Sequence, residues 1–229
     1  MSDELSLREL MQRVSSQFST EELCKLSQEQ KEHYDELLKH FKEVNTQPSS
    51  TSEKGNALEK LASYLLEISG NIFKVIRNVR TNSNEIDQVI TLNEKGRALC
   101  SYKLISPRFE MFLGECKNYN KKVGVTYVGK FYSLLQTTSI TTGILFSYHG
   151  VTGNKWHDAS GLIKKAYLQR EHEHDRIAII NFDITDFTAI SNGNNFLDII
   201  NAKLYALQLD TSIDGFISSH PSETLLQNS

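Results

Sequence analysis

Apolar residues recur along this chain with two periods, and the change from one to the other divides it. Before residue 45 the spacing is helical. Leu5, Leu7, Leu10, Met11 and Val14 form one stripe, and Tyr34, Leu37, Leu38 and Phe41 form a second at intervals of three and four. Between them Ser19-Thr20-Glu21-Glu22 is a capping-box pattern that restarts a helix after Phe18. Two amphipathic helices bury their apolar faces poorly on their own. They therefore dock on the rest of the chain or on a second subunit, or they recognise a partner protein or DNA. Asn45-Thr46-Gln47-Pro48-Ser49-Ser50-Thr51-Ser52 has the composition of a linker and marks the predicted domain boundary.

A third helical stripe, Leu58, Leu61, Ala62, Leu65 and Leu66, fills Gly55 to Ser69 and ends at Gly70, the residue type that closes helices. The period then shortens to that of strands at Ile72 to Val79, Glu85 to Leu92 and Phe109 to Lys117, the last two separated by a polar excursion from Glu94 to Arg108. Val123 to Gln136 reads as a helix, Gly143 to Tyr148 as a strand, Ala159 to Gln169 as a helix, Arg176 to Phe182 as a strand and Phe196 to Leu207 as a closing helix. Three strands in a meander followed by βα alternation predict an α/β fold, with a mixed sheet flanked by helices on both faces. The expected division is a helical segment over 1–48, an α/β domain over 53–209 and a polar tail over 210–229.

Composition narrows the setting. The chain has 229 residues, 39% of them hydrophobic, and a net charge of −3. The apolar share suffices for a core, while the charge argues against a protein that coats nucleic acid through bulk electrostatics, so any basic surface is local. Cys24, Cys100 and Cys116 are odd in number, widely spaced and free of any CxxC pairing, which suggests neither a disulfide framework nor a zinc ribbon. No basic leader and no run of about 18 apolar residues occurs. A cytoplasmic protein without a membrane segment is expected.

Charge stands where these strands should be buried. Asp87 lies near the start of one strand, and Glu115 and Lys117, two apart, face the same way at the end of the next, after the apolar Met111-Phe112-Leu113. Paired as neighbours, the two strands bring two carboxylates and one ammonium together. Carboxylates held close repel unless something positive joins them, and an all-oxygen donor set favours a hard cation such as magnesium. The bland alternatives are a turn acid at a strand edge for Asp87 and a surface salt bridge for Glu115 and Lys117, which would be worth little.

Asp87 followed by Glu115-Cys116-Lys117, preceded by a helix carrying Glu59, resembles the PD-(D/E)xK nuclease superfamily. Within it, Lys54 to about Asn181 is most similar to the catalytic domain of Mrr-type restriction endonucleases. The likeness rests on Lys54-Gly55-Asn56-Ala57-Leu58-Glu59-Lys60-Leu61-Ala62, Asn84-Glu85-Ile86-Asp87, Glu115-Cys116-Lys117, and Val123-Gly124-Val125 leading a helix into Gly143-Ile144-Leu145-Phe146-Ser147. Ile86 stands where the superfamily's proline would be.

The resemblance implies a restriction-endonuclease-like αβββαβ core and a metal-dependent endonuclease that hydrolyses DNA phosphodiester bonds, in a restriction or phage-defence setting. It also implies a metal site formed by Asp87, Glu115, the backbone carbonyl of Cys116 and Glu59, holding Mg2+ with Mn2+ able to substitute. Lys117 is then the catalytic cation, and a homodimer or larger oligomer supplies the two sites that cutting a duplex needs. Lys130 falls where Mrr-type enzymes often carry glutamine, and with Lys121 and Lys122 it is a candidate phosphate contact. The rival reading is a non-catalytic nucleic-acid-binding or assembly module on the same fold.

Other clusters carry less. Glu171-His172-Glu173-His174-Asp175 looks like a metal site, but histidines two apart do not share a helical face. His149, Trp156 and His157 either border the substrate groove or are ordinary loop residues. Arg77 to Arg80 and Asn120-Lys121-Lys122 either grip phosphates or are solvated charge.

Overall fold

The structure, a computed structural model, describes residues 18–80, 85–153 and 158–209. The stripe from Leu5 to Val14, the residues Trp156 and His157, and the polar tail lie outside them. A short helix α1 (Thr20–Leu23) precedes α2 (Gln28–Thr46) and α3 (Thr51–Ile68), followed by the strands β1 (Phe73–Arg80) and β2 (Glu85–Leu92). Next come α4 (Glu94–Ser101), a 3-10 turn at Pro107–Phe109 and β3 (Met111–Cys116). The order closes with α5 (Val125–Thr138), β4 (Thr142–Phe146), α6 (Ala159–Leu168), β5 (Ala178–Phe182), α7 (Ile184–Ser191) and α8 (Phe196–Gln208).

Three expectations are corrected. The stretch 45–52 is no linker: α2 runs to Thr46, and Ser50 already caps α3, its hydroxyl accepting from the Glu53 N–H while the Glu53 carboxylate accepts from the Ser50 N–H. Its polar composition is that of two abutting helix ends. The excursion after β2 contains α4, capped by Asn93, whose side chain accepts from the Gly96 N–H. The segment after β5 contains α7, capped by a reciprocal pair in which Asp183 and Asp186 each accept from the other's end of the first turn.

The apolar stripe of α2 is occupied within the chain. Tyr34, Leu38, Phe41 and Val44 are buried in one core with α3 and α7, and the Tyr34 hydroxyl donates to the Phe187 carbonyl at 2.8 Å.

The sheet runs β1-β2-β3-β4-β5, with β1–β2 and β2–β3 antiparallel and β3–β4 and β4–β5 parallel. One face carries Phe73, Phe112, Phe146 and Phe182 against α2, α3, α7 and α8, and the other carries Leu113, Leu145 and Ile179 against α5 and α6. The strands β2 to β5 therefore alternate between two cores, as a sheet covered on both sides requires, whereas the edge strand β1 buries only Phe73. Gly143 lets α5 approach β4, because a Cβ there would stand 2.6 Å from the Phe131 ring. Among the described residues no helix is long and apolar enough to cross a membrane.

Candidate active site

The sheet is interrupted at Asp87. The β2–β3 ladder ends at Gln88 opposite Gly114, one step short of Asp87 and Glu115. The β1–β2 register skips the position opposite Asp87, where Asn78 takes a left-handed φ of 52°. Main-chain groups that a regular sheet would pair are thus released at one end of the central strands. The Asp87 carboxylate replaces one lost bond: its Oδ2 accepts from the Cys116 N–H at 2.9 Å. This fixes the Asp87 side chain against the end of β3. The Cys116 carbonyl lies on the same edge of its strand as that N–H, and so faces Asp87 as well.

Lys117, one residue past β3, keeps the strand direction because its N–H donates to the Phe146 carbonyl at 2.9 Å. Its side chain therefore lies on the same side as Glu115. Lys117 Nζ stands 2.7 Å from Glu115 Oε1 and 3.6 Å from Asp87 Oδ2, with all three side chains a quarter exposed or less. Glu59, half-buried on α3, completes the group electrostatically. Burial, and then the charge of Asp87, push its carboxyl up, while Lys117 and Arg77 act in the other direction. The Glu115 carboxyl is also raised, first by burial and then by Asp87, against the pull of Lys117. Burial works to lower the Lys117 pKa, but its bond to Glu115 and the charges of Glu115 and Asp87 prevail and raise it. One held ammonium thus stands among three carboxylates and does not cancel them.

Residues outside the candidate metal and catalytic set hold this arrangement. Gln88, next to Asp87, is buried and donates through Nε2 to Ser63 Oγ at 2.9 Å, which ties β2 to α3 one turn beyond Glu59. Gly114 leaves room for that side chain, since a Cβ there would meet Gln88 Oε1 at 2.6 Å. Asn118, also buried, donates to the Lys54 carbonyl at 2.8 Å, and the buried Lys54 ammonium donates to Asn120 Oδ1 at 2.6 Å. Lysine at a helix start and asparagines two apart are the only traces of this latch in the sequence. The contacts span more than sixty positions.

The remaining candidates lie outside this cluster. Lys121, Lys122 and Lys130 are exposed, and the Lys130 ammonium sits 5.7 Å above the Tyr127 ring. Burial, and a hydrogen bond with Tyr127, raise the Tyr119 phenol. Arg77 pairs with Glu67 at 2.7 Å, and exposed His149 meets the Tyr148 ring. The Cys116 thiol is buried and pushed well up by burial and by the carboxylates around it, which makes it inert. His172 and His174 stack on one another, and His174 Nε2 lies 3.5 Å from Asp175 Oδ1. Among the described residues no three His, Cys, Asp or Glu side chains form a preassembled metal cluster.

The chemistry of the donors nevertheless suits a hard cation at Asp87. The carboxylates outnumber their one ammonium, burial first and the charge of Asp87 second raise the Glu115 and Glu59 carboxyls, and the Cys116 carbonyl adds a neutral oxygen.

Comparison with curated proteins gave no match, and neither did comparison with solved structures. A family model described as "Restriction endonuclease", of the Mrr catalytic type, matches residues 51–170. That span is just over half the chain and contains Glu59, Asp87, Glu115, Lys117 and the three exposed lysines. With a mixed sheet whose central strands bring those residues together, the chain belongs to the Mrr-type restriction endonuclease catalytic family.

Proposed function

We propose that the protein is a divalent-metal-dependent endonuclease that hydrolyses DNA phosphodiester bonds. The observation that carries this reading is the meeting of Asp87, Glu115 and Lys117 at the point where the sheet ladders open, with negative charge in excess. A structural ion pair has no need of a second and a third carboxylate. Asp87, Glu115 and the Cys116 carbonyl, with Glu59, would hold a magnesium ion, for which manganese can substitute. Such an ion supplies a bound water of lowered pKa and stabilises charge on the scissile phosphate.

The chain's own groups do the rest. The Cys116 N–H holds Asp87 in place, the Gln88–Ser63 and Lys54–Asn118 ties keep α3 and the end of β3 in register, and Lys117 presents a fixed ammonium. Because its neighbours keep it charged, Lys117 acts by orienting the attacking water and screening the phosphate. Lys121, Lys122 and Lys130 offer exposed ammonium groups to the phosphates on either side. We place the enzyme in the cytoplasm, in a restriction or phage-defence role, and in a dimer, because cutting both strands of a duplex takes two sites. Sedimentation as a monomer at micromolar concentration would remove the last of these.

The test is incubation of the purified chain with supercoiled plasmid in magnesium or in chelator. Cleavage in magnesium alone is expected. Intact plasmid in both, with DNA still bound, would favour the non-catalytic module.

A further inference from the structure

Two residues beyond Lys117 the chain presents an aromatic ring with a clear structural setting. Tyr119 lies between Asn118 and Asn120, and both of these are fastened to Lys54, one through its carbonyl and the other through its ammonium. The loop is also fixed further on, where the Val123 N–H donates to the Gly150 carbonyl at 2.8 Å and the Thr152 N–H to the Val123 carbonyl at 2.9 Å. Tyr119 is half-buried between Asn118 and Asn120, near enough to Lys117 for the two groups to interact electrostatically. Its ring lies 5.1 Å from that of Tyr127, tilted by 40°, in the first turn of α5. Tyr127 is 39% exposed, and the ammonium above its ring belongs to Lys130, which is also exposed. Lys121 and Lys122, both exposed, are on the same loop.

This pair of rings, one half-buried and one exposed, with one ammonium over the exposed ring and two more on the same loop, belongs to neither core of the fold. Its chemistry is that of surfaces that bind unpaired nucleotides, where rings stack on bases and cations meet phosphates. We infer that Tyr119 and Tyr127 form a base-stacking platform beside the active site, and that the DNA strand to be cut is held with an unpaired base next to the scissile phosphate. This deepens the nuclease reading and rests on it for the word scissile. It assigns a substrate class: single strands, flaps and duplexes with a flipped or mismatched base, in preference to perfect duplex. On binding, the base takes the face of Tyr127 that Lys130 covers, and the Lys130 ammonium moves to the adjoining phosphate. A cation over an exposed ring is held weakly, so the exchange is easy.

The experiment measures binding by the full chain in chelator, where cleavage plays no part. Fluorescence anisotropy is read with a labelled oligothymidylate and with a strand of equal length whose central nucleotides are abasic, so that phosphates match and bases do not. The parent should bind the base-bearing strand about 10-fold or more tightly than the abasic one. Tyr127→Ala should bind both strands at the abasic level with an unchanged melting temperature, and Tyr127→Phe should keep the preference. Lys130→Ala should weaken both strands alike. A parent that does not discriminate, or a Tyr127→Ala variant that still does, overturns the platform. The two readings fail separately: base discrimination without magnesium-dependent cleavage would keep the platform and remove the nuclease. Cleavage with no base discrimination would do the reverse.

Discussion

Lys203 and Lys117 each meet a carboxylate inside the fold at the same range, 2.8 Å for Lys203 with Asp186 and 2.7 Å for Lys117 with Glu115. The contacts of Lys203 are direct and one-to-one, although Asp183 adds a further negative charge nearby. The Lys203 ammonium also donates to the Asn181 carbonyl, Asp186 also accepts from the Asp183 N–H, and one ammonium touches one carboxylate that is 9% exposed. Burial pushes the Asp186 carboxyl up, and Lys203 is the first influence acting against it. Around Lys117 the charges are unequal. Two carboxylates lie within 4 Å, Glu59 adds a third charge, and the side chains stay open to water at the end of the sheet. The first arrangement clamps α8 to α7 and β5, and the second leaves negative charge in excess of its one ammonium. Distance alone does not separate a clamp from an active site. The ratio of charges in direct contact does.

The largest effect expected on stability falls on the clamp. Lys203→Met strands the buried Asp186 carboxylate and should cost about 3–5 kcal/mol, lowering the melting temperature by about 6–20 °C. The folded fraction should cleave normally. A melting temperature near that of the parent would mean that the two ionic sites do not differ as described.

Next is Asp87→Asn. The parent should gain about 2.7 kcal/mol when magnesium is supplied at a hundred times its dissociation constant, and the variant should lose that gain in thermal melts.

The same variant sharpens a pH effect. Glu115 is raised on folding, so its ionised form costs native stability above its folded pKa. That cost disappears as pH falls toward the ordinary glutamate range near about 4.3. Stability without metal should therefore drift downward as pH rises through this window, and metal-induced stabilisation should shrink as pH falls, because protons and the ion compete for Glu115. Asp87→Asn should lessen the metal-free drift without abolishing it, because burial of Glu115 is the larger cause and remains, which urea titrations at several pH values would read.

The smallest effect belongs to a half-exposed pair at the surface. Glu67→Gln removes the half-exposed bridge to Arg77 and should cost less than about 1 kcal/mol in the same titrations.

Much of this organisation was legible along the chain, for identifiable reasons. β2 occupies the stretch expected, Glu85 to Leu92, because its apolar alternation is bounded by polar residues on both sides. The antiparallel meander and the parallel crossovers follow from the order of elements. The approach of Asp87 to Glu115 and Lys117 follows from pairing β2 with β3 and from the two-residue period of a strand. What could not be read is what depends on contacts distant in sequence. The polar run after residue 45 cannot say by composition whether it is a linker or two helix ends, and only the reciprocal bonds of Ser50 and Glu53 decide it. The helices α4 and α7 are eight residues each, too short for a periodic stripe to stand out, although Asn93 and Asp183 were there as caps. Gln88 with Ser63, and Lys54 with Asn118, are polar residues buried by tertiary partners, a placement no local pattern announces.

The most direct test of the central claim is a single variant read in two ways. Lys117→Ala removes the ammonium from the carboxylate cluster and leaves every donor oxygen in place. If the cluster is catalytic, plasmid cleavage in magnesium should fall about 10²–10³-fold, roughly 3–4 kcal/mol of transition-state stabilisation. Melting in magnesium should stay close to that of the parent, because the ion relieves the carboxylate repulsion. Parental cleavage by this variant would contradict the account, and so would a melting temperature that collapses in magnesium as it does for Lys203→Met.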